Sequence, residues 1–175
     1  MRELDVLGVR VEMPTNQPIV LLRERGGERY LPIWIGAAEA TAIAYAQQGV
    51  VPPRPMTHDL LKNVIDQLGH ELVEVRIVAL KDSIFHATLI FDGAVEVSAR
   101  SSDAIALALR TGTSILVEDS LLDEAGVAIA AEEDDEVERF REFLDHVSAE
   151  DFDNPDETGQ TETWPQTKSD PLVKI

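Results

Sequence analysis

Between Ala99 and Gly112 the chain reads ARSSDAIALALRTG, and this stretch leaves little freedom in how the rest can fold. Ser101, Ser102 and Asp103 are helix-capping residue types set directly before an apolar run. Ala104, Ile105, Leu107, Ala108 and Leu109 then build a short helix with apolar surface nearly all round. A helix without a wide polar face must lie buried among other elements. Arg110 in the last turn suits the helix dipole, and Gly112 is a natural stop. Arg100 and Asp103 are left at the helix start, where unpaired backbone N–H groups face outward and can hold an anion.

The same pattern occurs upstream. Ile35–Gly49 reads IGAAEATAIAYAQQG, and Glu39-Ala-Thr-Ala-Ile-Ala matches Asp103-Ala-Ile-Ala-Leu-Ala at an offset of 64. Each copy has a carboxylate at the helix start, an Ala-rich helix and a Gly stop. Two units are too few for a solenoid, so the repetition predicts one duplicated domain. With both helices apolar all round, they are expected to pack centrally near a pseudo-twofold axis.

Turn and alternation signals place the other elements. Strands are expected over Leu4–Glu12, Ile19–Arg23 and Arg29–Ile35, with Pro32 marking an edge or a bulge. The first Ala-rich helix follows from Ala37 to Gln48. Thr57 then reads as the N-cap of a helix over His58–Leu68, with Leu60, Leu61, Val64, Ile65 and Leu68 on one face. Strands over Leu72–Leu80, Ile84–Phe91 and Val95–Ala99 lead to the central helix, and a short strand at Ser114–Glu118 and a short helix at Ser120–Ala125 close the unit. The order is βββαα twice, in repeats of about 3–69 and 70–126. That predicts an α+β domain over 1–127, its mostly antiparallel sheet curled or barrel-like and packed with helices.

Beyond residue 127 the composition changes. Residues 128–147 form an acidic segment with a short amphipathic helix over Val137–Val147, and 148–175 read as a disordered acidic tail. Of the net charge of −18, residues 131–175 carry 15 acids against 4 bases, and residues 1–130 carry 18 against 11. The folded part is thus only mildly acidic, yet it lacks the basic stripe of a nonspecific nucleic-acid binder. A local basic pocket is compatible with that balance. With no cysteine, disulfides, thiolate metal sites and cysteine nucleophiles are excluded. No apolar run approaches a membrane span and the N-terminus has no long apolar core, so a soluble cytoplasmic protein with no membrane association is expected.

Three stretches carry a resemblance: Leu31-Pro-Ile-Trp-Ile-Gly36 followed by Glu39-Ala, Arg54-Pro-Met-Thr-His-Asp-Leu60, and Arg100-Ser-Ser-Asp-Ala-Ile-Ala-Leu-Ala108. Together they resemble the bifunctional nuclease domain family of bacteria and plants, over roughly residues 3–127. The resemblance implies a duplicated α+β fold, frequent homo-oligomers (a dimer is favoured here) and nuclease activity. The family's third motif usually reads Arg-Pro-Ser-Asp; Ser101 replaces the proline, which implies a slightly looser helix start.

His58-Asp59 at a helix start near Arg54 could bind a divalent metal or position a water for phosphodiester attack. The plain alternative is that Thr57 and Asp59 stabilise the helix N-terminus while His58 faces solvent. Glu39 and Asp103 could share a metal if the repeats bring their helix starts together; otherwise each is a cap. Arg100 could contact a phosphate or simply pair with Asp103. Trp34, on an apolar strand, is expected in the core or at a subunit contact, with base stacking the lesser option. No H-E-x-x-H, P-loop or G-x-S-x-G is present, and no organic cofactor is indicated.

Two functions stand open. One is a nuclease assisted by Mg²⁺ or Mn²⁺, with His58, Asp59, Glu39 and Asp103 catalytic, metal held by Glu39, Asp59 and Asp103, and Arg54 and Arg100 binding a nucleic-acid phosphate. The other is a non-catalytic oligomeric regulatory or scaffold protein that binds a small ligand or a protein partner, the acidic tail serving as a partner-binding segment.

Overall fold

Alternating apolar residues build the sheet. Val20 and Leu22, Leu31 and Ile33, and Phe85, Ala87 and Leu89 are buried at every second position, as strands with one face on a core require. The computed structural model describes residues 1–13 and 15–128. The expected helix over Val137–Val147 and the acidic tail lie outside the described residues.

Strands β1 (Arg2–Glu12), β2 (Gln17–Glu24) and β3 (Arg29–Trp34) lead into helices α1 (Ala37–Gln47) and α2 (Thr57–Gln67). Strands β4 (Leu72–Lys81), β5 (Ile84–Phe91) and β6 (Val95–Arg100) lead into α3 (Ser101–Thr111), β7 (Ile115–Val117), α4 (Asp119–Ala125) and β8 (Val127–Ala128). All eight strands join one sheet in the order β6-β5-β4-β7-β1-β2-β3-β8. Every pairing is antiparallel except β4 with β7.

The sheet is open, which corrects the expectation of a curled or barrel-like one. Closure would need the end strands β6 and β8 to pair. β8 offers two residues, and both pair with Arg29 and Tyr30 of β3. From Leu31 onward that side of β3 has no strand partner among the described residues, so Pro32 costs no ladder bond there.

The two Ala-rich helices differ. α3 is buried over Ala104–Ala108 and touches α1, α2, β4, β5 and β6. Gly112 ends it in the left-handed conformation at φ 72°, where a glycine pays no Cβ penalty. α1 buries only Ala40, Ala42 and Ile43, so it is not central on all sides as expected. α2 departs further from expectation. Only His58 and Ile65 are buried, while Leu60, Leu61, Val64 and Leu68 are exposed, Leu68 by 70%. The expected apolar face exists, but nothing among the described residues covers it.

Candidate functional site

α1, α2 and α3 each carry a carboxylate at their third residue: Glu39, Asp59 and Asp103. An acid there can reach back to the helix start and complement the dipole. Asp59 does so, accepting from the Met56 N–H at 2.8 Å. The helix begins one residue earlier than expected, with Met56 rather than Thr57 at the N-cap. Glu39 and Asp103 turn elsewhere. Both meet the guanidinium of Arg100, the last residue of β6 and the N-cap of α3.

Arg100 Nε and Nη2 donate to Asp103 at 2.6 and 3.0 Å, and Nη2 lies 2.9 Å from Glu39 Oε1. Behind Asp103 stands His58, its Nε2 3.0 Å from Asp103 Oδ1. His58 is only 8% exposed, so it does not face solvent. The Asp103 side chain is 30% exposed and that of Arg100 66%. Burial alone would raise the Asp103 pKa, but the bonds from Arg100 and His58 outweigh it and hold the carboxyl below its usual range. The result is a chain of four groups, Glu39–Arg100–Asp103–His58, in which Arg100 is the most exposed and Glu39 and His58 are the least exposed.

Gly36 makes room for this arrangement. A Cβ on Gly36 would collide with the Glu39 carboxylate, so glycine at the N-cap of α1 lets the acid fold over the helix start. The junctions β3–α1 and β6–α3 then wall a cleft of about 360 Å³ that contains Glu39 and Arg100. The tip of the β4–β5 hairpin contributes Ser83 and Ile84 to the same cleft. This is the convergence of helix starts that the sequence repetition raised.

Two expected members stand apart. Asp59 is held by Arg110 at 2.5 Å, and Arg110 also donates to the Ala106 carbonyl. Burial opposes ionisation of Asp59, and the Arg110 and Met56 bonds overcome it, lowering the pKa. Arg110 lies seven residues beyond Asp103 on α3, about 10 Å along the axis. Both Asp59 oxygens are therefore committed away from the Glu39–Asp103 pair. Arg54 is exposed on the connection before α2, forms no ion pair among the described residues and does not line the cleft.

Sequence reasoning misses two contributors and underrates a third. The sequence position of Arg110 points only to the helix dipole, yet the residue anchors α2 through Asp59. Gly36 carried no role, although its position three residues before Glu39 is the spacing of a helix start. Trp34 is neither core nor covered by another element: it is 52% exposed and lines the cleft. Its place two residues before Gly36 was the available clue.

Among the described residues no three His, Asp or Glu side chains are spaced to hold one ion. Glu39 and Asp103 are hard oxygen donors of the kind a magnesium-like ion takes, one or two carboxylates with water and substrate phosphate completing its shell. Glu39 Oε1 and both Asp103 oxygens face Arg100 and His58 here, however, so an ion would have to displace the guanidinium. Asp59 does not join that set. No helix among the described residues is long and apolar enough to cross a membrane.

Comparison with known proteins adds an independent line. A family model described as the bifunctional nuclease domain matches residues 20–130. An uncharacterized protein of Mycobacterium tuberculosis, found in two strains, is 56% identical over 161 residues, which is 87% of this chain and 98% of that protein. A protein of Oryza sativa subsp. japonica named Bifunctional nuclease 2 is 31% identical over 127 residues, covering 69% of this chain and 39% of its own length.

Proposed function

We propose a function from one premise: this chain belongs to the bifunctional nuclease domain family. The reaction is hydrolysis of a nucleic-acid phosphodiester at the cleft of Glu39 and Arg100, with Asp103 bonded to Arg100 beside it, assisted by a divalent cation. The convergence of two carboxylates on one exposed guanidinium carries this reading. Glu39 and Asp103 would hold Mg²⁺ or Mn²⁺, which when bound supplies charge to polarise the phosphate and activate water. Arg100, long and solvent-exposed, reaches a phosphate oxygen through its planar fork. His58 is a positioning residue: buried behind Asp103, it fixes the carboxylate's orientation without touching substrate. Asp59 acts one step further back, holding α2, and so His58, through Arg110.

The matching carboxylate positions on α1 and α3 also support a duplicated domain, with the two helix starts as equivalent halves of one site. The test is cleavage of single- and double-stranded DNA and RNA with Mg²⁺, Mn²⁺ or EDTA, run beside a Glu39→Gln/Asp103→Asn variant purified identically. Metal-dependent cleavage lost in the folded variant supports the assignment; equal traces in both preparations point to contamination and sink it.

A second reading rests on a separate observation, the uncovered apolar face of α2. Leu68 with Val95 and Val97 of the edge strand β6 lines a small apolar cleft of about 190 Å³. An oligomeric scaffold would cover that face with a second copy, in line with the expected dimer. Sedimentation of the protein beside a Leu61→Glu/Val64→Glu variant decides it: a dimer converted to monomer supports this interface, and a wild-type monomer removes it.

A further inference from the structure

Trp34 ends β3 with its indole half in solvent, directly beside the charged groups of the cleft. Scattered exposed apolar residues need no explanation, but this one is fixed in place. Its Nε1–H donates to Glu12 Oε2 at 3.0 Å, so the ring is held by its polar edge while the residue stays about half exposed. Ile84, at the hairpin tip, borders the same cleft and is 59% exposed. The cleft therefore joins a flat apolar surface to an arginine, the two features needed to take a base and its neighbouring phosphate.

We propose that this cleft selects single-stranded nucleic acid, one base stacking on Trp34 while Arg100 takes an adjoining phosphate. The inference rests on the nuclease reading above and gives its substrate class. Bases within a duplex are stacked on each other and offer no free face to an indole, whereas a single strand can turn a base out. Charge points the same way. Residues 1–130 carry seven more acids than bases, which opposes the dense phosphate array of a duplex. Local stacking must then supply what long-range attraction does not.

The experiment measures binding by fluorescence anisotropy with the full-length protein. Ca²⁺ is present as an oxygen-seeking cation, and strand integrity is checked on a gel. The probes are a short labelled single strand, its duplex, and an abasic strand of equal length and charge. The single strand is expected to bind about tenfold or more tightly than either of the others. Trp34→Ala should weaken it by about 5- to 150-fold, the range for loss of one stacked base. Trp34→Phe keeps an aromatic face and should stay within about threefold of wild type. Circular dichroism confirms that both variants fold. Equal binding by Trp34→Ala, equal or tighter binding of the duplex or the abasic strand, or no binding by wild type overturns the inference. Cleavage in Mg²⁺ is scored separately. Trp34-dependent binding without cleavage upholds the strand site and rejects the nuclease; cleavage without Trp34-dependent binding does the reverse.

Discussion

Replacing Asp103 with asparagine separates the chemistry of the cleft from its contribution to stability. Asparagine keeps the shape but removes the charge that faces Arg100 and His58. The Arg100 pair lies largely in solvent, so its loss costs about 0–1 kcal/mol after screening. The bond to buried His58 is charge-assisted, worth roughly 1.5–3 kcal/mol, and a neutral amide retains about half of that strength. The total loss is about 1–2 kcal/mol, which for a domain of this size lowers Tm by roughly 3–8 °C. Catalysis should suffer far more. With one of two cation-holding carboxylates neutralised, kcat/KM on a single-stranded substrate should fall by about 100-fold or more, and the Mg²⁺ concentration for half-maximal rate should rise. Steady-state cleavage across a Mg²⁺ titration, with calorimetry on the same sample, measures both quantities. An active wild type beside an Asp103→Asn variant within threefold of it at every Mg²⁺ concentration would falsify the role given to Asp103. A Tm drop beyond about 15 °C would show instead that the residue holds the fold.

Other expectations follow from particular contacts. Leu107→Ala, in the fully buried middle of α3, should cost about 3 kcal/mol and roughly 10 °C in Tm by thermal denaturation. Gly36→Ala adds a methyl that only the flexible Glu39 carboxylate must avoid, so stability should change by less than about 1 kcal/mol while cleavage falls several-fold. A large loss of Tm with intact cleavage would contradict that. Asp59 and Asp103 have folded pKa values below their ordinary 3.8, so their stabilisation is complete above that pH and is lost as the pH falls through the lowered values. Between about pH 5 and pH 2.5 the Tm of an Asp59→Asn/Asp103→Asn variant should decline less steeply than wild type; parallel declines would remove these two carboxyls from the acid response.

The central helix was legible because its composition admits one solution: apolar residues on every side of α3 need neighbours on every side. The carboxylate pair was legible as a possibility, since repetition placed an acid at each helix start. Its meeting at Arg100 depends on how β3–α1 and β6–α3 approach each other, which is tertiary information. Asp59 shows the limit most clearly. Adjacent to His58 in sequence, it looked like a partner in chemistry, but the two side chains contact opposite ends of α3, and Arg110 is 51 residues away in the chain. The spacing of the leucines of α2 marks a face, but periodicity cannot say what lies across from it. Sheet closure failed for a similar reason: it rests on a two-residue strand too short to show an alternation.

α2 is attached to the domain chiefly through α3, by His58 to Asp103, by Asp59 to Arg110 and by buried Ile65. Few apolar contacts resist its departure, so α2 is drawn from the low end of the domain's range of local opening free energies. Its amides should exchange with solvent through brief excursions while those of α3 wait for global unfolding. In such an excursion His58 leaves, but Glu39, Arg100 and Asp103 keep their places on the sheet and on α1 and α3. The site thus has two lifetimes: a carboxylate pair as durable as the fold, and an imidazole support that comes and goes with one helix.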